Sequence, residues 1–245
     1  MSNRRSRRAT FVAGLVLSTS SGAQAVDEEK GAPGTASALN APASEASRSD
    51  WELELSISAH LAIPGAALQI GTDSIGLGID VFGGARYQKL PLLFGLAVGG
   101  DFFAPKSRTF VQRDANVAHF WLHQQGLWIM PTIRLTPSEG AFRPFLEARG
   151  GMWAILTSNK ARDFDGEVSE ETRSAASAFG LSAGLSWDFR EQAFCVASLS
   201  YMRGESQRLV SIDRAEVIDH TFFVDLVDTP PLEQWVIGLG IGGRL

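Results

Sequence analysis

From Trp51 onward, apolar and polar residues alternate with a period of two. Trp51, Leu53, Leu55, Ile57, Ala59 and Leu61 interleave with Glu52, Glu54, Ser56, Ser58 and His60. That is a β-strand with one apolar and one polar face. The pattern returns over 74–88, 91–104, 119–136, 141–157, 176–190, 193–204 and 234–245. No stretch longer than a few residues has a helical period, which argues against an α/β design. Short links marked by Pro, Gly or charge follow strands two, four and six, at 88–91, 136–140 and 190–193. Longer links fall near 105–118, 158–175 and 205–233, with a shorter, less polar one at 62–73. Eight strands with alternating short and long links predict an all-β, antiparallel up-and-down barrel, with clipped turns on one rim and loops on the other.

Such a barrel can turn its apolar face inward around a ligand or outward into lipid. The polar face decides between the two. It is rich in glycine and serine, including Gly78, Gly99, Gly180, Gly240, Ser56 and Ser182, which suits a narrow interior. It also carries Glu52, Glu54, Asp80, Asp101, Glu147 and Asp188, together with Arg86, Arg134, Arg143, Arg149, Arg190 and Arg244. Acids and arginines are nearly balanced there, as a paired buried network requires, while Lys30, Lys89, Lys106 and Lys160 all lie outside the strand cores. On the apolar face the aromatics fall at the ends. Trp51, Tyr87, Phe142 and Trp187 mark the turn rim, and Phe102, Trp121, Phe179, Tyr201 and Trp235 the loop rim. Two aromatic girdles around an aliphatic band are the pattern of a transmembrane barrel.

The N-terminus changes the location of the fold rather than its class. Arg4, Arg5, Arg7 and Arg8 precede a short apolar run from Ala9 to Leu17, and Ala23-Gln24-Ala25 is the pattern a signal peptidase cuts. Residues 1–25 therefore read as a signal peptide and 26–50 as a flexible Ala/Ser/Gly/Pro-rich tail too poor in large apolar groups to fold. The barrel occupies 51–245. Losing four arginines and no acids would take the formal charge from −5 to −9, which argues against nucleic acid as a partner. The single Cys195 forms no internal disulfide, and no C-x-x-C or Cys/His cluster suggests a metal or other cofactor.

With strands, girdles and export signal in place, Trp51–Leu245 resembles the small eight-stranded outer-membrane barrels, the transmembrane domain of outer-membrane protein A and related barrels. The final strand, Trp235 to Leu245, resembles their C-terminal insertion signal, although it ends in Leu245 where the family usually has Phe. The resemblance implies bacterial outer-membrane lipid and lipopolysaccharide as surroundings and the barrel-assembly machinery as a partner. It also implies short turns on the periplasmic side and loops outside, where an extracellular ligand would bind.

Catalytic chemistry finds little footing. His60, His119, His123 and His220 map to the loop half, with Asp73, Asp114, Asp225 and Ser211 as the nearest candidate partners, and they read as solvated rim residues. The His119/His123 spacing would share a metal on a helix, but on a strand the two stand about 13 Å apart. The acidic run Asp213, Glu216, Asp219, Asp225 and Asp228, interspersed with Arg214 and His220, lacks calcium-loop spacing. Gly238-x-Gly240-x-Gly242 has strand period and no following helix, so it is an interior face and not a phosphate loop. The sequence therefore points to a non-enzymatic barrel with a structural or surface-interaction role and a lumen closed by charge. A narrow pore and a lipid A-modifying enzyme are the alternatives.

Overall fold

The computed structural model describes residues 50–87, 90–111, 117–162, 166–218 and 221–245. The expected signal peptide and all of the tail but Asp50 lie outside the described residues, as do Lys89, Asp114, Asp219 and His220. The strands are β1 (Trp51–Pro64), β2 (Gly76–Tyr87), β3 (Leu92–Phe102), β4 (Lys106–Val111), β5 (Val117–Leu135), β6 (Phe142–Arg162), β7 (Glu167–Arg190), β8 (Ala193–Val210), β9 (Glu216–Ile218), β10 (Thr221–Phe223) and β11 (Leu226–Arg244). Single 3-10 turns occur at Leu68–Ile70 and Ile212–Arg214. Eight of the strands close an antiparallel ring in the order β1, β2, β3, β5, β6, β7, β8, β11 and back to β1.

The stagger of the ring follows from its rungs. From Glu54 the ladder runs to Gly84, Gly95, Thr132, Arg149, Gly180, Met202 and Gln234, and then meets β1 again at Pro64. The path returns ten residues along β1, so eight strands carry a shear of ten, and they tilt by roughly 40°. A barrel of this size has room for little beyond its own side chains.

Face parity matches the alternation. Along β1, Leu53, Leu55 and Ile57 are exposed while Glu54, Ser56 and His60 are buried. The same holds on β11, where Ile237, Leu239 and Ile241 point out. The outer wall is thus a continuous aliphatic belt, far larger than the apolar patches water-soluble monomers expose. Trp51 and Tyr87 pack edge to face at its turn rim, where Phe142 also stacks on Trp187, and Tyr201 packs against Trp235 at its loop rim. Phe102 and Phe179 are likewise exposed at the loop rim. Trp121 does not belong with them. It lies four residues past Gln125, the ladder partner of Phe102, faces Ser107 and Lys160, and stacks on His119. Its odd-numbered parity put it on the outer face, but β5 runs well beyond the belt.

That overrun corrects the expected long loops. Most of 105–118, 158–175 and 205–233 is strand: β4 pairs with the outer half of β5, β6 with β7 as far as Arg162↔Glu167, and β8 with β11 as far as Val210↔Leu226. Outside the belt the outer face need not be apolar, and over 167–171 of β7 both faces are exposed and the alternation disappears. Ladder hydrogen bonds continue regardless. A small apolar cluster of Phe120, Leu122, Ala161, Val210 and Ile212 supports the extension from inside. On the opposite rim the turns are as short as expected, and Gly140, at φ 104°, takes the left-handed position in the 136–141 turn.

Candidate functional site in the barrel lumen

The inward face holds more than charges and small residues. Phe82, Trp128, Phe145, Trp153 and Phe194 also point inward and are buried. The inward glycines are their seats. A methyl group added at Gly99 would overlap the Trp128 indole, and one at Gly184 the Phe145 ring. The sequence pattern places small residues in a narrow interior but does not single out these aromatics. Their even position on β2, β5 and β8, and odd position on β6, was the available signal. It was masked because both faces of those segments are apolar.

The ionic network fills the turn-side half. Arg134 on β5 reaches across the lumen: its Nη1 donates to Glu54 Oε1 on β1 at 2.6 Å, and its Nε to Glu147 Oε2 on β6 at 2.8 Å. Its guanidinium lies between the rings of Phe82 and Phe145, 4.1 and 4.5 Å from their centroids. Arg149 Nη2 donates to Glu147 Oε1 at 2.5 Å and to Ser182 Oγ at 3.1 Å. Arg244 Nε donates to Glu54 Oε2 at 3.2 Å, its Nη1 binds Asp188, and its guanidinium stacks over Phe194. Arg143 Nη2 donates to the other Asp188 oxygen at 3.0 Å. Arg86 closes the floor, donating to Glu52 Oε1 at 3.3 Å and to the Pro137 carbonyl at 3.0 Å. Bridging and stacked geometry of this kind is what planar guanidinium groups provide and ammonium groups do not.

Asp80 and Asp101 do not join this network; they meet His60. His60 Nε2 lies 2.5 Å from Asp101 Oδ1, and its Nδ1 lies 3.9 Å from Asp80 Oδ1. Gln234 Nε2 donates to the second Asp101 oxygen at 2.9 Å. His60 is therefore not a solvated rim residue, since only 5% of it is exposed. Among the described residues, six acids and five arginines share the lumen, with His60 as the remaining basic group. Arg190, the sixth expected arginine, is exposed at its turn. Between Asp80 and Arg149 lies a void of about 20 Å³, also lined by Ser56, Ser58 and Ser198, with room for roughly one water.

The loop-side mouth is covered by the β1–β2 connection. Ala67 and Leu68 are fully buried and pack with Phe103, Trp128, Trp153 and Leu232. Gln69 Nε2 donates to the Pro64 carbonyl, and Thr72 Oγ1 to that of Ala104. A less polar link in this place is what an inward-folded plug needs.

The other candidate groups do not converge. His119 is outside the barrel, against Thr109 Oγ1. Asp73 and Asp213 both pair with Lys106, and Asp228 pairs with Arg208. Among the described residues no three His, Cys, Asp or Glu side chains are arranged to hold a metal ion. A concavity of about 710 Å³ lies on the outer wall between Leu146, Leu181, Leu199 and the Tyr201/Trp235 pair; it is part of the belt and far from the lumen chemistry.

No protein-family model matches the chain, and no curated protein matches it in sequence. Solved structures with a similar course include Neisserial surface protein A, at 13% identity and TM-score 0.39, covering 80% of this chain and 97% of that one. The attachment invasion locus protein of Yersinia pestis, in complex with sucrose octasulfate, is 14% identical with TM-score 0.37, covering 80% and 99%. A major outer membrane protein from Thermus thermophilus is 13% identical with TM-score 0.48, covering 79% and 99%.

Proposed function

We infer that the chain is an exported outer-membrane β-barrel with a structural or surface-interaction role and a lumen that does not conduct. The observation that carries the closed lumen is Arg134 spanning from β5 to Glu54 on β1, with the Leu68 plug above it. The belt and its paired girdles support residence in a bilayer with outer-membrane lipid and lipopolysaccharide around it. Insertion by the barrel-assembly machinery follows from that residence. The buried His60–Asp101 contact is sealed from solvent, which favours a structural role over a catalytic one.

Purified protein in a planar bilayer is expected to give no steady conductance. A large, stable conductance would replace this reading with the narrow-pore one. Orientation has its own test. Single cysteines in a Cys195→Ala background are expected to label from outside intact cells at Ser169 and Arg208, and not at Glu139. The reverse pattern would invert the assignment of the rims.

A further inference from the structure

Above the belt the barrel wall splits. The β7–β8 ladder starts at Ala178↔Gly204, yet both strands continue past it, β7 from Glu167 and β8 to Val210. Among the described residues, the 167–177 stretch of β7 then has only β6 as ladder neighbour, and the 205–210 stretch of β8 only β11. Two strand edges therefore face each other across a cleft with concavities of about 570 and 680 Å³. Ser174 Oγ and Gln207 Oε1 meet across it. Admitting one further strand between the two edges takes about two ladder spacings, ~10 Å.

The outer edges of β11 and β4 are protected. Beyond Pro64, its last rung with β1, β11 carries Pro230 and Pro231, which have no N–H to offer. On β4, Arg108 Nη1 reaches the carbonyls of Ile212 and Asp213, so the second 3-10 turn lies against that strand. The 167–177 and 205–210 stretches contain no proline or lysine, and their protection is limited to exposed charges such as Glu170, Glu171, Arg173, Glu205 and Arg208.

We propose that this cleft binds an extended peptide segment of a partner protein as an added strand between β7 and β8. Only another backbone offers alternating donors and acceptors to both edges at once, so recognition is main-chain and tolerant of sequence. The first strand begins at Trp51 on the opposite rim, with the filled lumen between it and the cleft. A second barrel cannot present its edge, because each edge already faces the other within one copy. The proposal rests on reading this role as surface interaction, but its test does not depend on membrane orientation.

The test uses the full-length protein in nanodiscs, where both rims are accessible, and a fluorescent ten-residue peptide of alternating Thr and Val. Saturable binding is expected, with amide exchange slowed about tenfold or more at 167–177 and 205–210. The same peptide N-methylated at every residue keeps its side chains, loses its donors to both edges and is expected not to bind. Joining S174C to Q207C with a short bifunctional thiol reagent, in a Cys195→Ala background, is expected to abolish binding. Equal binding of the N-methylated peptide, or exchange unchanged at both edges, would overturn the proposal. So would protection without peptide, whether from lipopolysaccharide in the disc or from a dimer seen by light scattering. The exchange measurement on the wild type decides the matter even if the cysteine pair does not fold.

Discussion

Arg134→Ala is expected to destabilise the barrel by about 3–5 kcal/mol, the cost of breaking a buried ion pair by removing one partner. Arg134 holds Glu54 and Glu147 from opposite sides of the lumen and is itself 6% exposed. Both acids are nearly inaccessible, so water cannot take over when the guanidinium is gone. Arg244 and Arg149 would keep one contact each with those acids, and this sets the expectation below the desolvation cost of two free carboxylates. The alanine also unstacks Phe82 and Phe145 and leaves a void between them. Urea midpoints in micelles, read by the heat-modifiable gel shift, measure the loss. Adding Glu54→Gln to Arg134→Met should recover part of it, because one uncompensated carboxylate is then removed while Arg149 keeps Glu147 and Arg244 keeps Asp188. A loss below about 1 kcal/mol for Arg134→Ala, the level of an exposed pair, would mean the lumen is wet and the network solvated.

Leu96→Arg carries the second large effect, about 2–4 kcal/mol, the cost of a cation near the bilayer midplane on a barrel's outer wall. Leu96 is exposed on the belt between Gly83 and Pro131. Leu127 shares that face but lies close to the loop-side girdle, two residues from Gln125, so arginine there is expected to cost only about 0–1 kcal/mol. Ala97→Arg points the other way. Ala97 is 1% exposed, between Phe82 and Met130, and a long cation there would overfill the lumen and fail in micelle and bilayer alike. Unfolding free energies in lipid vesicles, compared across the three variants, give the depth profile. Equal tolerance of arginine at Leu96 and Leu127 would remove the argument that this wall faces hydrocarbon.

The candidate site was legible in the sequence as a set of residues and not as an arrangement. Glu52, Glu54, Arg86, Arg134, Arg143, Glu147, Arg149 and Asp188 all face the lumen from positions that period two assigns inward. Asp80 and Asp101 share that parity, yet they meet His60 and Gln234. Which acid finds which base depends on the shear, which sets the height of each strand against its neighbours. Nothing local encodes a ten-residue stagger. The outer extension of β7 escaped for a different reason: residues 167–171 are exposed on both faces, so that extended segment has no alternation to read.

Alternation and turn chemistry determined that eight strands run up and down, and the small, charge-balanced composition of the polar face determined that the aliphatic face is the outer one and that charge belongs inside. A side chain's face on a strand is a local property, repeated every second residue. Ring closure decided the rest: the Arg134 bridge, the seating of Trp128 over Gly99, the Leu68 plug, and the point at Ala178↔Gly204 where β7 and β8 part. Each of these joins residues on different strands, most of them far apart in the chain, and their meeting depends on the register of every rung between them.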